Sequence, residues 1–138
     1  MKQELSMDWL EDMAFETEVN GHKIYLDAYE KVGGKDRGPR PKPLMMVALA
    51  GCTGMDVVSI LKKMKVEFES FNISIDAELD DEFPKPYTSM KIIYSFKGKE
   101  LPKSKIEKAV NLSQDKYCGV SENYRKAMRL DYEIRINE

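Results

Sequence analysis

The chain holds two cysteines, Cys52 and Cys118, and a single histidine, His22. A thiolate is a nucleophile toward peroxides, disulfides and metal ions, so two thiols admit redox chemistry without any cofactor. Two cysteines alone do not close a structural zinc site, and His22, beside a turn with no second histidine, adds little. Metal and cofactor are therefore expected to be absent. In a reducing compartment a lone structural disulfide is disfavoured, which leaves the thiols as small core residues or as a redox pair. Taken alone, a cysteine in an apolar helix is more often core than catalyst.

The elements that must position these thiols follow from patterning. With 138 residues, 42% hydrophobic and 33% charged, the chain has the size and balance of a single globular domain, residues 1–138. The formal net charge of −2 offers no broad basic surface for nucleic acid, and the first residues lack an export-type apolar run, so a cytoplasmic protein is expected. Alternation on either side of Asn20-Gly21, from Phe15 to Ala28, predicts an opening β-hairpin. Residues 32–43, rich in glycine and proline, form a loop without the spacing of a phosphate-binding motif.

Pro43 suits the first turn of a helix over residues 44–64. Gly51 and Gly54 inside it imply close packing against other backbone. That helix is apolar on all sides in its first half, read here as core and not as a membrane span because of Thr53, Asp56 and Ser59. Period-two patterns over 66–79 and 88–97 predict a second hairpin, and Leu130, Tyr132, Ile134 and Ile136 a closing strand. Ser104 and Glu107 read as a capping box that opens a helix closed by Gly119, with Cys118 at its carboxyl end. A short helix around residues 121–127 follows. The fold class is α+β, an antiparallel sheet covered by the long helix. An all-round apolar helix is more than one sheet can cover, so a homodimer is expected.

The segment Ala50-Gly51-Cys52-Thr53-Gly54-Met55-Asp56-Val57-Val58, following a proline-rich loop, resembles the first cysteine motif of the OsmC/Ohr superfamily of hydroperoxide-resistance proteins. Asp115-Lys116-Tyr117-Cys118-Gly119-Val120-Ser121 is similar to the second, at a separation that also suits the family. The resemblance spans essentially the whole chain. It implies an intertwined dimer with two long central helices between sheets, and a thiol peroxidase that reduces organic hydroperoxides with both cysteines and is reset by a dithiol reductant. Cys52 would form the sulfenic acid and Cys118, taken to lie at the negative pole of a helix, would resolve it to a disulfide.

A peroxidatic thiol must ionise, and a free cysteine with a pKa of about 8.5 is mostly protonated at neutral pH. Cys52 lies beyond the first turn of its helix, where the dipole is weak, so a cation is needed. Arg37 and Arg40 in the preceding loop are the candidates, in keeping with the superfamily's pairing of an arginine with the reactive thiolate. Spacing does not choose between them, and Arg37 is preferred because prolines flank Arg40. Lys42 stands where the best-studied members carry a glutamate that holds this arginine. Asp56, one helical turn from Cys52, would either orient the arginine in its place or repel the thiolate. The alternative function is a non-catalytic protein of this fold that binds an apolar ligand or senses oxidants.

Overall fold

The computed structural model describes residues 1–138 and divides them into two compact units, Met1–Met45 and Met46–Glu138. The first is an antiparallel meander of β1 (Met7–Glu11), β2 (Ala14–Val19) and β3 (His22–Leu26). Asn20 and Gly21, with φ of 52° and 83°, make the tight turn that brings Val19 opposite His22. This is the expected hairpin. The sequence reading missed β1, whose five residues are all exposed and show no buried alternation. His22 is an exposed strand residue.

The loop after β3 is held by one carboxylate. Asp27, 2% exposed, accepts from the backbone N–H groups of Ala28 (2.7 Å), Lys35 (3.2 Å) and Arg37 (3.1 Å), and from Arg37 Nε at 2.7 Å. Two of the loop's glycines are needed for close approach. A Cβ on Gly34 would stand 2.1 Å from the Ala28 carbonyl oxygen, and one on Gly38 would stand 2.4 Å from that of Tyr25. The loop therefore lies against the end of β3 because its backbone can touch β3's backbone, a requirement that composition alone does not disclose.

The second unit contains nearly all of α1 (Leu44–Lys63), then β4 (Ser70–Leu79), β5 (Tyr87–Lys97), α2 (Lys103–Leu112), a π-helical turn over Ser113–Tyr117, α3 (Gly119–Ala127) and β6 (Arg129–Ile136). β5 is the central strand, antiparallel to β4 and parallel to β6. The sheet is thus mixed and not wholly antiparallel. A parallel neighbour requires a long crossover, and α2 and α3 supply it. Flanked on both edges, β5 carries an almost continuous buried run through Met90, Ile92, Ile93, Tyr94 and Phe96.

Against this sheet α1 buries a single stripe, Leu49, Thr53, Val57 and Leu61, at helical spacing. Ile106, Ala109 and Val110 of α2 complete the core. Gly54 lets α1 lie close to β4, since a Cβ there would meet Ile73 Cδ1 at 2.8 Å, whereas Gly51 faces open space. By length and composition α1 could cross a membrane, but its buried stripe belongs to a protein core. The opposite face stays uncovered in the single chain, with Val47 63% and Met55 77% exposed.

Arg37 beside Asp27, together with the three backbone donors, holds the Asp27 carboxyl far below the usual carboxylate range. A depressed folded-state pKa adds stability that is present above the unfolded value of about 4 and is lost as pH falls through the folded one. Asp27→Asn is therefore expected to loosen the loop at neutral pH and to remove that part of the acid dependence. Amide hydrogen exchange at Lys35 and Arg37 in both proteins at pH 7 checks this; unchanged protection would show that Asp27 does not hold the loop.

Candidate active site

The site lies in the second unit and is assembled from α1, β5, the π turn and the start of α3. On α1, Cys52 and Asp56 are one turn apart on the flank of the buried stripe, both half-buried. Cys118 comes from the far end of the π turn and is 3% exposed. The two sulfurs and an Asp56 carboxylate oxygen all lie within 4.8 Å of one another, and both cysteines are free thiols. Two segments far apart in sequence thus converge on one point.

The structure corrects the expected position of Cys118. It does not end a helix but caps the start of α3, with extended backbone (φ −78°, ψ 100°) and its sulfur accepting from Ser121 N at 3.3 Å and Ser121 Oγ at 3.1 Å. Gly119, read as a stop, has no positive φ and opens the new helix. The positive end of α3 thus faces the Cys118 sulfur, the reverse of the expected field. The capping box also does not form, because α2 begins at Lys103 behind Pro102 and has no side-chain cap.

What separates α2 from α3 is the wider π turn, where Cys118 N donates to Ser113 O at 2.7 Å. Wide turns of this kind re-aim side chains, and here Ser113 and Gln114 are buried facing α1 and β5. Ser113 Oγ donates to Asp56 Oδ2 at 2.9 Å. Its only proton is then engaged, so the 2.7 Å contact with Thr53 has Thr53 Oγ1 as donor. By the same count Tyr94 OH donates to Thr53 at 2.6 Å, and Gln114 Nε2 donates to both Tyr94 OH (2.9 Å) and Thr53 Oγ1 (3.2 Å). A directed chain thus runs from Tyr94 through Thr53 and Ser113 to the Asp56 carboxylate. Arg125 anchors the turn from outside by donating to the Gln114 carbonyl at 2.9 Å.

These contacts set the electrostatics. Burial pushes the Cys52 thiol up, and the neighbouring Cys118 and Asp56 push it the same way; the Val120 backbone N–H acts against them. Asp56 therefore disfavours the Cys52 thiolate. Burial also raises the Tyr94 phenol to about 12, so it stays a neutral donor at the head of the chain.

Arg37 and Arg40 belong to the other unit and have partners there. Arg37 places Nε on Asp27, Nη1 on Glu11 at 3.1 Å and Nη2 on Asp12 at 3.4 Å. Arg40 donates Nη1 to Gly38 O at 2.8 Å and Nη2 to Asp36, stacks 3.9 Å over the Tyr29 ring, and leaves Nε without a partner. Of the residues the sequence singles out, the structure brings Cys52, Cys118 and Asp56 together; Thr53, Tyr94, Ser113, Gln114 and Ser121, which hydrogen-bond around them, were not singled out. Only the i, i+3 relation of Cys118 to Ser121, a capping spacing, was open to detection.

Comparison with known proteins gives a concordant picture. Residues 33–133 match the model of the family described as OsmC-like protein. Protein YhfA of Escherichia coli K12 is 29% identical over 129 residues, covering 93% of each chain. The crystal structure of a hypothetical protein from Aquifex aeolicus VF5 superposes with a TM-score of 0.82 at 26% identity, covering 100% of this chain and 99% of that one. The organic hydroperoxide resistance protein OhrB of Bacillus subtilis shares the fold at 15% identity, with a TM-score of 0.65 and coverage of 96% and 98%.

The hydroxyl chain generates a stability test. Thr53→Val keeps the side-chain shape but leaves the Tyr94 O–H without its acceptor and the Ser113 oxygen without its donor, in a site where Thr53 is fully buried. A loss of about 1–3 kcal/mol is expected. It should appear as a lower urea midpoint with unchanged slope, and an unshifted midpoint would remove the chain from the account of the site.

Proposed function

Because the chain belongs to the OsmC-like family, we propose that it is a cysteine-based thiol peroxidase that reduces organic hydroperoxides through Cys52 and Cys118. The observation that carries this reading is the convergence of the two free thiols within 4.8 Å, close enough for a disulfide to follow a small adjustment. Cys52, the more exposed of the two, is the sulfur a peroxide can reach. Its thiolate attacks the distal peroxide oxygen, the O–O bond breaks, and the alkoxide leaves as an alcohol with a proton from solvent. The Cys118 thiolate then attacks the Cys52 sulfenic sulfur, hydroxide leaves as water with a second proton, and a dithiol reductant restores both thiols.

The raised Cys52 thiol means that activation must come from outside its own helix. The Val120 N–H is one contribution. A loop arginine, Arg37 or Arg40, is the other, and either would have to leave partners in its own unit to reach the thiolate. The same raised thiol favours a second reading, a non-catalytic oxidant sensor, in which the disulfide forms but does not turn over.

We assign the family's homodimeric assembly to this chain as well. Its support is the uncovered apolar face of α1 at Val47 and Met55, and, within the first unit, the exposure of Trp9, Leu10 and Tyr25.

Steady consumption of cumene hydroperoxide with dithiothreitol tests the function. Cys52→Ser should abolish turnover, and Cys118→Ser should leave one equivalent of a dimedone-reactive sulfenic acid. Replacing the arginine that activates Cys52, by Arg37→Met or Arg40→Met, should cut the rate, and if neither does, the loop arginines play no part. A raised thiol pKa leaves less thiolate at neutral pH, so the wild-type rate should still climb beyond the ordinary cysteine range. A disulfide that forms without turnover selects the sensor, and no disulfide at all sinks both readings. Val47→Glu with Met55→Glu should halve the mass measured by sedimentation equilibrium; a wild-type monomer would refute the dimer.

A further inference from the structure

The same three groups make a coordination set. Cys52 and Asp56 project from one face of α1 one turn apart, the spacing that helical metal motifs use to present two ligands together. Cys118 meets them from the start of α3, so the two thiol sulfurs and a carboxylate oxygen fall within 4.8 Å of one another. Around tetrahedral zinc, with bonds of about 2.3 Å to sulfur and about 2.0–2.2 Å to oxygen, ligand atoms stand roughly 3.5–3.8 Å apart. Closing the set thus needs movements of about 1 Å or less.

The outer contacts fit as well. A ligating carboxylate is ordinarily held by a further hydrogen bond, and Asp56 Oδ2 is held by Ser113, which is fixed in turn by Thr53. The Cys118 sulfur accepts from Ser121 N and Oγ. Two thiolates and a carboxylate within 4.8 Å of one another repel, and a divalent cation between them turns each of those repulsions into an attraction to the metal. Zinc suits two thiolates and a carboxylate better than a hard cation such as magnesium does.

We propose that reduced Cys52, Cys118 and Asp56 form a three-ligand zinc site, with a fourth position left to water. Binding displaces the two thiol protons. The metal and the disulfide are mutually exclusive, since each uses the same sulfur electron pairs. A hydroperoxide that oxidises the two thiolates to a disulfide, itself reduced to alcohol and water, must release the ion.

The full chain, reduced and stripped with a chelator, is loaded with zinc sulfate, desalted and measured for metal by mass spectrometry, with affinity taken from competition against a chromophoric chelator. One zinc per chain is expected. Cobalt should give near-ultraviolet thiolate charge-transfer absorption and the visible bands of a tetrahedral ion. Cys52→Ala and Cys118→Ala should each abolish retention, Asp56→Asn should weaken it at least tenfold, and Ser113→Ala should weaken it by about 10- to 100-fold. Wild-type protein with both thiols reversibly blocked by methylthiolation keeps the assay independent of whether the variants fold, and it should retain no zinc. Less than half an equivalent on the reduced wild type, zinc kept by the blocked protein, or undiminished affinity in Asp56→Asn would overturn the proposal. No peroxide enters this measurement, so its outcome is separate from that of the peroxidase assay.

Discussion

Thr53 occupies the centre of the α1 stripe that faces the sheet, where an aliphatic residue would serve packing equally well. Its hydroxyl instead joins three elements: it accepts from Tyr94 on β5 and donates to Ser113 at the head of the π turn. Buried hydroxyls in a low-dielectric setting must all be paired, and a pairing that uses every proton once has few alternative arrangements. The result is a registration device. It fixes the rotation of α1 relative to the turn that leads to Cys118, and therefore fixes which residues of α1 meet that cysteine. Cys52 and Asp56 flank Thr53 on the helix, so the thiol pair and the carboxylate inherit their geometry from this contact.

That dependence explains which parts of the structure were legible in the sequence. Local signals were strong where one short pattern decides the outcome: Asn20-Gly21 specifies its turn, and the period of two marks β4, β5 and β6 whatever their neighbours do. The direction of β6 was not encoded in its alternation, because a strand buried on one face reads the same whether it runs parallel or antiparallel. β1 was too short and too exposed to stand out. The π turn has no periodicity of its own, and it made Gly119 look like the end of one long helix instead of the start of another. With that boundary misplaced, the field at Cys118 took the wrong sign. The errors at the site thus come from one misread junction.

Ser113 and Gln114 were invisible for a related reason. Polar residues near a presumed helix end are ordinarily solvated, and only the wider turn carries these two inward. Asp56 was noticed through its spacing from Cys52, but its effect depends on what faces it. With Ser113 donating to it, its position is set from the core side, and its charge opposes ionisation of the nearby thiol. The family resemblance singled out both cysteines, whereas physical chemistry alone favours a core role for a cysteine in an apolar helix such as Cys52.

The two sulfurs do not share one environment. Cys118 is enclosed, caps a helix and receives two donors; Cys52 is more open and receives the Val120 N–H alone against burial and two unfavourable neighbours. The two donors from Ser121 hold the Cys118 sulfur in place, which suits the resolving role proposed for it. The partial exposure of Cys52 gives access, while its remaining burial and its two neighbours oppose ionisation. As the proposed peroxidase, such a site would be slow while its thiol is unassisted and would gain reactivity from an added positive charge. On the proposed readings, a loop arginine would add that charge and leave the sulfur lone pairs free to attack, whereas a metal ion would add it while occupying them. With the Asp56 carboxylate beside both thiols, the site would draw whichever cation reaches it, and on the two proposals the kind of cation decides whether the thiols react or are protected.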